Sequence, residues 1–194
     1  PDVLPVLPLR GMVAYPFAAT PLVVGQERSV RLVDDAMRGD RLVALASQVD
    51  PGVEQVGPDG VRQIGTVARI LQMFRRPDGG MMVAVQGLER IRIHEYVGEQ
   101  PYLVARVELY SEEPETGLEI EGLTSAVADQ FRRLVEISPN LPDELAAVAL
   151  NIDDPRALAY LIASNTQMDV DQKQEILELN PISAKLELLS RFLT

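Results

Sequence analysis

IGTVARILQMFRRPDGGMMVAVQGLERIRI, residues 64–93, is the stretch on which the fold of this chain turns. Two β-type runs, Ile64–Arg75 and Met81–Gln86, flank Pro77-Asp78-Gly79-Gly80, a composition that closes a hairpin because glycine and aspartate accept the turn geometry that other residues resist. Gly87 opens a third run, Leu88–Val97, in which Arg90, Arg92 and His94 alternate with Ile91 and Ile93, the period of a half-buried strand. Beside the turn stand Met73, Phe74, Met81 and Met82, adaptable apolar side chains at a place that the turn should expose. Nothing in the stretch is equipped for covalent chemistry, so it reads as a presenting surface. Adjacent strand residues point to opposite sides, so of Met81 and Met82 one belongs inside and one outside.

Working outward, residues before 64 alternate short extended runs with turns. Val3–Leu9 carries Pro5 and Pro8 and is predicted to be an edge or irregular strand, since proline cannot donate to a central ladder. Thr20–Val24 is a short strand. Arg28–Met37 is the one helical pattern of this half, with Val30, Val33 and Met37 on one face and Gly39 just beyond. Arg41–Ala46 is a compact apolar strand, Asp50–Gly60 a loop, and Tyr102–Tyr110 a last strand. The expectation is a small, mostly antiparallel barrel or curled sheet carrying one helix.

Composition changes at Ser111–Thr116, SEEPET, and the periodicity turns helical. Leu123, Val127, Phe131 and Leu134 form an apolar stripe on a helix reaching about Ile137. Leu141–Leu150 follows as an alanine-rich helix. Asp153-Asp154-Pro155 is a helix start, with an Asp cap and proline in the first helical position, opening Pro155–Ala163. Asp169 caps Val170–Leu179, and Pro181 opens Ile182–Leu193, with Leu186, Leu189 and Leu193 spaced for packing. The fold class is therefore α+β, with a β-rich subdomain over 1–112 and an α-helical bundle over 113–194.

The two parts differ in charge. Residues 1–110 hold 12 Arg against 13 Asp and Glu, whereas residues 111–194 hold 6 Lys and Arg against 16. An acidic half disfavours a phosphate backbone, whose binding depends on released counterions; acidic helices also simply keep a protein soluble. The chain has no cysteine, which removes disulfides and thiolate metal sites and suits a reducing, cytoplasmic setting. No apolar run reaches the roughly 18 residues of a membrane span, so no membrane partner is expected. No charged-then-apolar leader opens the sequence and its first residue is Pro1, so it reads as a piece cut from a longer chain.

Reactive constellations are missing. No phosphate cradle of the GxxxxGK[ST] or GxGxxG kind occurs, and Gly79-Gly80 lies in a hairpin turn. His94 is the single histidine, has no Gly-x-Ser-x-Gly elbow beside it, and reads as a surface strand residue. Ser183 and Lys185 lie two apart on a helix and point to different faces. Asp34-Asp35 and Asp153-Asp154 read as a helix surface and a helix cap. No metal site and no catalytic residue is expected. Apolar surface remains: Met12, Tyr15, Pro16, Phe17 and Pro21 occupy the loop RGMVAYPFAATP and, with the Met73, Phe74, Met81 and Met82 hairpin, are the candidate binding residues. The alternative is that Tyr15 and Phe17 fold inward as core and Met81 fills a gap.

These residues also carry a family resemblance. PVLPLRGMVAYPFAATPLVVGQERSVRLVDDAM at 5–37, the 64–93 stretch, and NIDDPRALAYLIASNTQMDVDQKQEILELNPISAKLELLSRFL at 151–193 resemble, in order, the N-terminal domain of bacterial Lon proteases. LPLR, GTVA-x-I, the PDG hairpin, the GLER turn, the IDDP cap and DQKQEIL are each weak signals and jointly specific. The resemblance implies a PUA-like β-rich subdomain followed by a helical bundle. It implies no catalysis and no cofactor in this stretch. ATP, magnesium and the Ser–Lys peptidase of an ATP-dependent AAA+ protease belong to later domains. Its implied partners are unfolded or damaged protein substrates and other subunits of a hexamer. A competing reading is an RNA-binding module of PUA-like type, with Arg69, Arg75, Arg76, Arg90 and Arg92 as its footprint. Overall acidity and the scarcity of aromatic residues for base stacking weigh against that.

Overall fold

The alternation over 64–98 builds one hairpin of two long strands. In a computed structural model, which describes residues 2–193, β4 runs Ile64–Arg75 and β5 runs Met81–Gly98. Arg76 N–H donates to Gly80 C=O (2.9 Å), and Gly79 sits at φ +91°, where a side chain would be strained. Sequence separates Met81–Gln86 from Leu88–Val97, but they are one strand. Gly87 is where another backbone comes close: a Cβ there would lie 2.0 Å from the Tyr15 carbonyl oxygen. The glycine permits that approach and does not break the strand.

Four further strands complete the sheet: β1 (Val3–Leu9), β2 (Ala19–Val24), β3 (Leu42–Ser47) and β6 (Val104–Leu109). Their order is β2-β5-β4-β3-β1-β6, and β6 pairs back onto β5, so the sheet curls on itself. β1 and β3 are parallel and the other pairings antiparallel. Of the edge or irregular strand expected at Val3–Leu9, the edge reading does not hold: the strand is flanked by β6 over Val3–Pro5 and by β3 over Val6–Leu9. Each half is laddered chiefly to one neighbour, which leaves a place for a residue without an N–H in each.

The central strands are buried on both faces, and this explains the near-continuous apolar run LVALAS of β3. Val43 and Leu45 enter one core with Leu7, Leu9, Ile70 and Met81. Ala44 and Ala46 enter the other with Leu4, Val6, Ile91 and Ile93. The helix α1 (Glu27–Arg38) lays Leu32, Val33 and Ala36 on the first core. The segment expected to be a loop at 50–60 contains a short turn of 3-10 helix, Pro58–Gly60.

The chain divides into two compact units, Pro1–Ser111 and Glu112–Thr194. The second contains α2 (Leu118–Ile137), α3 (Glu144–Asn151), α4 (Pro155–Ser164), α5 (Val170–Glu178) and α6 (Ile182–Leu193). Asp154 caps α4 by accepting from Arg156 N–H (2.9 Å), and Asp169 and Gln172 form a reciprocal capping box on α5. On α2 the buried stripe is Ile120, Val127, Phe131 and Val135, so Leu134 stands beside the core face. α3 begins three residues later than Leu141, because Pro142 and Asp143 form the entry turn, with Leu145 N–H donating to Pro142 C=O. Among the described residues no helix is long and apolar enough to cross a membrane.

Candidate functional site

The β-hairpin register decides which apolar residues meet. Phe74 lies opposite Met82 on β5, and Met82 lies opposite Val23 on β2. These three form a row across three strands on the face turned away from the first core, and their relative exposures are 59%, 37% and 64%. Large apolar side chains standing in water side by side signal a contact surface more than any one of them alone. The next row along, Gln72, Ala84 and Pro21, keeps the face low in charge, and Leu71 is exposed beside it where the β4 register slips. Arg75, on the opposite side of the ribbon from Phe74, bonds Asp34 of α1 at 2.7 Å and so ties the hairpin to the helix. The presenting row thus stands on a fixed scaffold.

Several residues singled out in the sequence lie elsewhere. Met81 has no exposure and fills the first core, while its neighbour Met82 is outside, as strand alternation requires. Met73 is half-buried and packs on that same core. Tyr15 and Pro16 are buried, so neither presents a surface, and burial pushes the Tyr15 phenol well above its ordinary pKa. Met12 is half-buried against the first core. Phe17 does reach water at 44% exposure, and it holds φ +69°, a conformation that costs a non-glycine residue energy and persists here because Tyr15 is anchored and Phe17 N–H donates to Gly87 C=O (3.0 Å). Phe17 is not part of the Met82 row. The ladder puts it beside Gly87, five residues along β5, roughly 17 Å away at about 3.3 Å per residue. The exposed residues Ala19 and Pro21 of β2 lie between these two ends.

Val23 and Leu71 were not legible as site residues. Val23 reads as the interior of a short strand, and only the register of β2 on β5 shows that it is turned outward. Its alternation with Leu22 and Val24, which puts it on the face opposite theirs, is the one signal in the sequence that could have found it.

The arginine footprint is divided: Arg69 and Arg75 of β4 and Arg76 next to it are exposed, whereas Arg90 and Arg92 are drawn into the sheet. Arg90 is wholly buried, its Nε donating to Tyr110 C=O (2.9 Å) and its guanidinium 3.9 Å from the Tyr110 ring centre. Arg92 stacks over the same ring at 4.4 Å, and Arg76 faces Asp78 at 3.6 Å. These arginines organise the sheet's own polar contacts. His94 is exposed and pairs with Glu108 at 2.9 Å. Lys185 is buried in the second unit, where its ammonium donates to Tyr160 Oη (2.9 Å), Ile176 C=O (2.7 Å) and Leu177 C=O (3.0 Å). Glu112 Oε2 stands 3.1 Å away as its counter-charge, and Glu112 Oε1 accepts from Tyr160 Oη at 2.6 Å. A lysine so saturated is a structural cation and not a general base. Ser183 is held differently, its N–H donating to Glu115 (2.7 Å). Among the described residues, no group of three or more His, Asp or Glu gathers as a metal cage would require.

Comparisons with known proteins cover nearly the whole chain. Residues 3–194 match the family model for the ATP-dependent protease La (LON) substrate-binding domain. A Lon protease of Dictyoglomus thermophilum is 42% identical over 194 residues, covering 100% of this chain and 24% of the relative. A Lon protease of Geobacter metallireducens is 42% identical over 181 residues, covering 92% of this chain and 22% of the relative. The chain thus spans about a quarter of the length of the curated relatives it matches. The solved N-terminal domain of the Mycobacterium avium complex Lon protease shares the fold, with a TM-score of 0.83 at 22% identity over 98% of this chain and 97% of that one. The family match across the chain and the length of the alignment with the relatives together settle the family: this chain belongs to the Lon substrate-binding domain family.

Proposed function

We propose that this chain recognises exposed hydrophobic segments of unfolded or damaged proteins, as the non-catalytic substrate-recognition and assembly part of a cytoplasmic, ATP-dependent AAA+ serine protease. In this reading 1–112 is the PUA-like subdomain and 113–194 the helical-bundle subdomain. The cofactors, ATP and magnesium, and the Ser–Lys peptidase belong to other parts of the longer protein, and the chain's further partners are other subunits of its hexamer. The observation that carries the reading is the Phe74–Met82–Val23 row, an apolar face laid across three strands. Apolar attraction is non-directional, so such a face engages whatever apolar chain a partner exposes, and folded monomers rarely expose much. Methionine at its centre suits a surface that must repack against many sequences. Affinity should be modest, about micromolar or weaker, because a flexible partner loses conformational freedom on docking.

An NMR titration of the isotope-labelled chain tests this with one protein in two forms, native and permanently unfolded. Amide shifts centred on Phe74, Met82 and Val23 with the unfolded form alone support the reading. Equal affinity for both forms would sink it. Binding that collapses steeply with added salt would instead point to a charged partner.

A further inference from the structure

We propose that the cleft between β1 and β2 takes an extended segment of a non-native polypeptide as an additional β-strand, held on the β2 edge by backbone hydrogen bonds. This rests on the binding function proposed above and specifies how the bound chain is held.

The two walls of the cleft follow from which way each strand turns its backbone. β2 is laddered on one side only, to β5. Gly87 N–H donates to Ala18 C=O (2.8 Å), and the register carries that bonded phase on to Thr20, Leu22 and Val24. Ala19, Pro21 and Val23 therefore turn their backbone groups to the other side, where β2 has no partner strand. Pro21 fits this phase, because a residue without an N–H cannot join a doubly bonded pair. On the facing wall, Leu9 C=O accepts from Gln48 N–H (2.7 Å) on the β3 side, and Val6 N–H donates to Leu103 C=O (2.8 Å) on the other. Alternation then turns the Pro8 carbonyl away from β3, past the point where β1 stops pairing with β6.

Between these edges lies a cleft of about 370 Å³, within the size range of ligand sites. Leu7, Leu9, Leu22, Val24 and Met12 give it an apolar lining, and Gln26 and Ser29 bring polar atoms from the α1 end. The prolines explain why the two edges do not simply pair with each other. Pro8 and Pro21 stand at positions turned outward, where an N–H would be needed for a direct ladder. Prolines on sheet edges block such pairing, and here they leave acceptors, the Pro8, Pro21 and Val23 carbonyls, together with the Val23 N–H. An extended peptide brings its own N–H groups and supplies the donors that β1 and β2 lack. Native proteins have their strands already paired, so the same edge selects for chain that has lost its structure. A strand added to β2 would also extend the Phe74–Met82–Val23 row by one more side chain, which joins the backbone edge and the apolar face into one binding surface.

The test uses the 194-residue chain and a short Val- and Phe-rich peptide from an unfolded protein, together with versions of that peptide N-methylated at alternate residues. Saturating unmodified peptide should slow hydrogen exchange of the Val23 amide about tenfold or more. One of the two alternating N-methyl patterns should bind about tenfold more weakly than the other. Val23→Pro, which removes the edge donor, should weaken the unmodified peptide similarly and abolish the difference between the patterns. If both N-methylated peptides bind like the parent and Val23 exchange is unchanged, strand addition is overturned. Loss of binding in Phe74→Ser alongside that indifference would leave the binding function standing without this mechanism. No binding of any peptide would remove both.

Discussion

Two exceptional groups of side chains, one in each unit of this chain, lie in opposite places. The β-rich unit leaves Phe74, Met82 and Val23 in water, whereas the helical unit takes the charges of Lys185 and Glu112 into its interior. Each breaks the usual distribution of side chains, and the physical cost tells what each is for. Exposed apolar area costs little stability until something covers it. A buried charge is expensive unless every donor and acceptor is met, and a satisfied one fixes a single arrangement. Lys185 meets that condition, with its three donors placed on Tyr160, Ile176 and Leu177 and its charge opposed by Glu112. The network joins the first residue of the second unit to α4, α5 and α6. One exception is built to hold; the other is built to be covered.

Breaking the first should give the largest effect. Lys185→Met should destabilise the helical unit by about 3–5 kcal/mol in chemical denaturation, because Glu112 would be left as an uncompensated buried charge. Adding Glu112→Leu should restore part of the loss, since paired apolar replacements remove the orphaned charge. A double variant no better than the single one would mean that packing and not charge dominates there.

Met81→Ala comes next, at about 2–5 kcal/mol, because it empties a position in the first core. Its melting temperature should fall while the affinity of the molecules that remain folded is unchanged. Tyr96 sharpens the contrast from within the β-rich unit. Its hydroxyl is buried without a hydrogen-bond partner, and burial pushes its pKa up to about 12. A raised folded pKa means that its contribution is fully present below pH 10, the ordinary tyrosine value, and is lost as pH rises through 12. The native chain should therefore lose about 1 kcal/mol more than Tyr96→Phe between those pH values, the figure being reduced for partial exposure. At neutral pH Tyr96→Phe should be neutral or slightly stabilising. Denaturation curves of both proteins across this pH range measure the difference.

What the sequence made legible follows the range of the forces involved. Turn chemistry and capping are local, so the Pro77–Gly80 turn and the Asp154 and Asp169 caps could be read directly and stand where they were expected. The β1 edge assignment failed because proline's exclusion from ladders is local, while the split of β1 between two partners is a tertiary fact. Gly87 misled for the same reason: the backbone it admits, at Tyr15, is some seventy residues away in the chain. Alternation said that Met81 and Met82 must part, and only packing decided which was inside. Loop composition does not report which side chains fold inward, so both readings of Tyr15 and Phe17 stood open; Tyr15 and Pro16 are buried and Phe17 is not. Val23 became a site residue only through its cross-strand neighbours.

The smallest expected change in stability carries the sharpest statement about binding. Met82 is the middle member of the outer row, flanked by Phe74 and Val23 and partly in water already. Truncation to alanine removes little that folding had buried, so Met82→Ala should shift stability by under about 0.5 kcal/mol. The same truncation removes the side chain that bridges its two neighbours, and an unfolded substrate should lose several-fold in affinity. Set beside Met81→Ala, adjacent residues in one strand should then separate completely, one variant unstable and binding normally, the other stable and binding weakly. Melting temperature and substrate affinity on the two single variants decide it. If Met82→Ala binds as well as the parent, the row is not the contact surface. Phe17, exposed at the other end of β2 in a strained conformation, then becomes the residue to truncate, and the comparison between an exposed apolar face and a charged interior loses its first half.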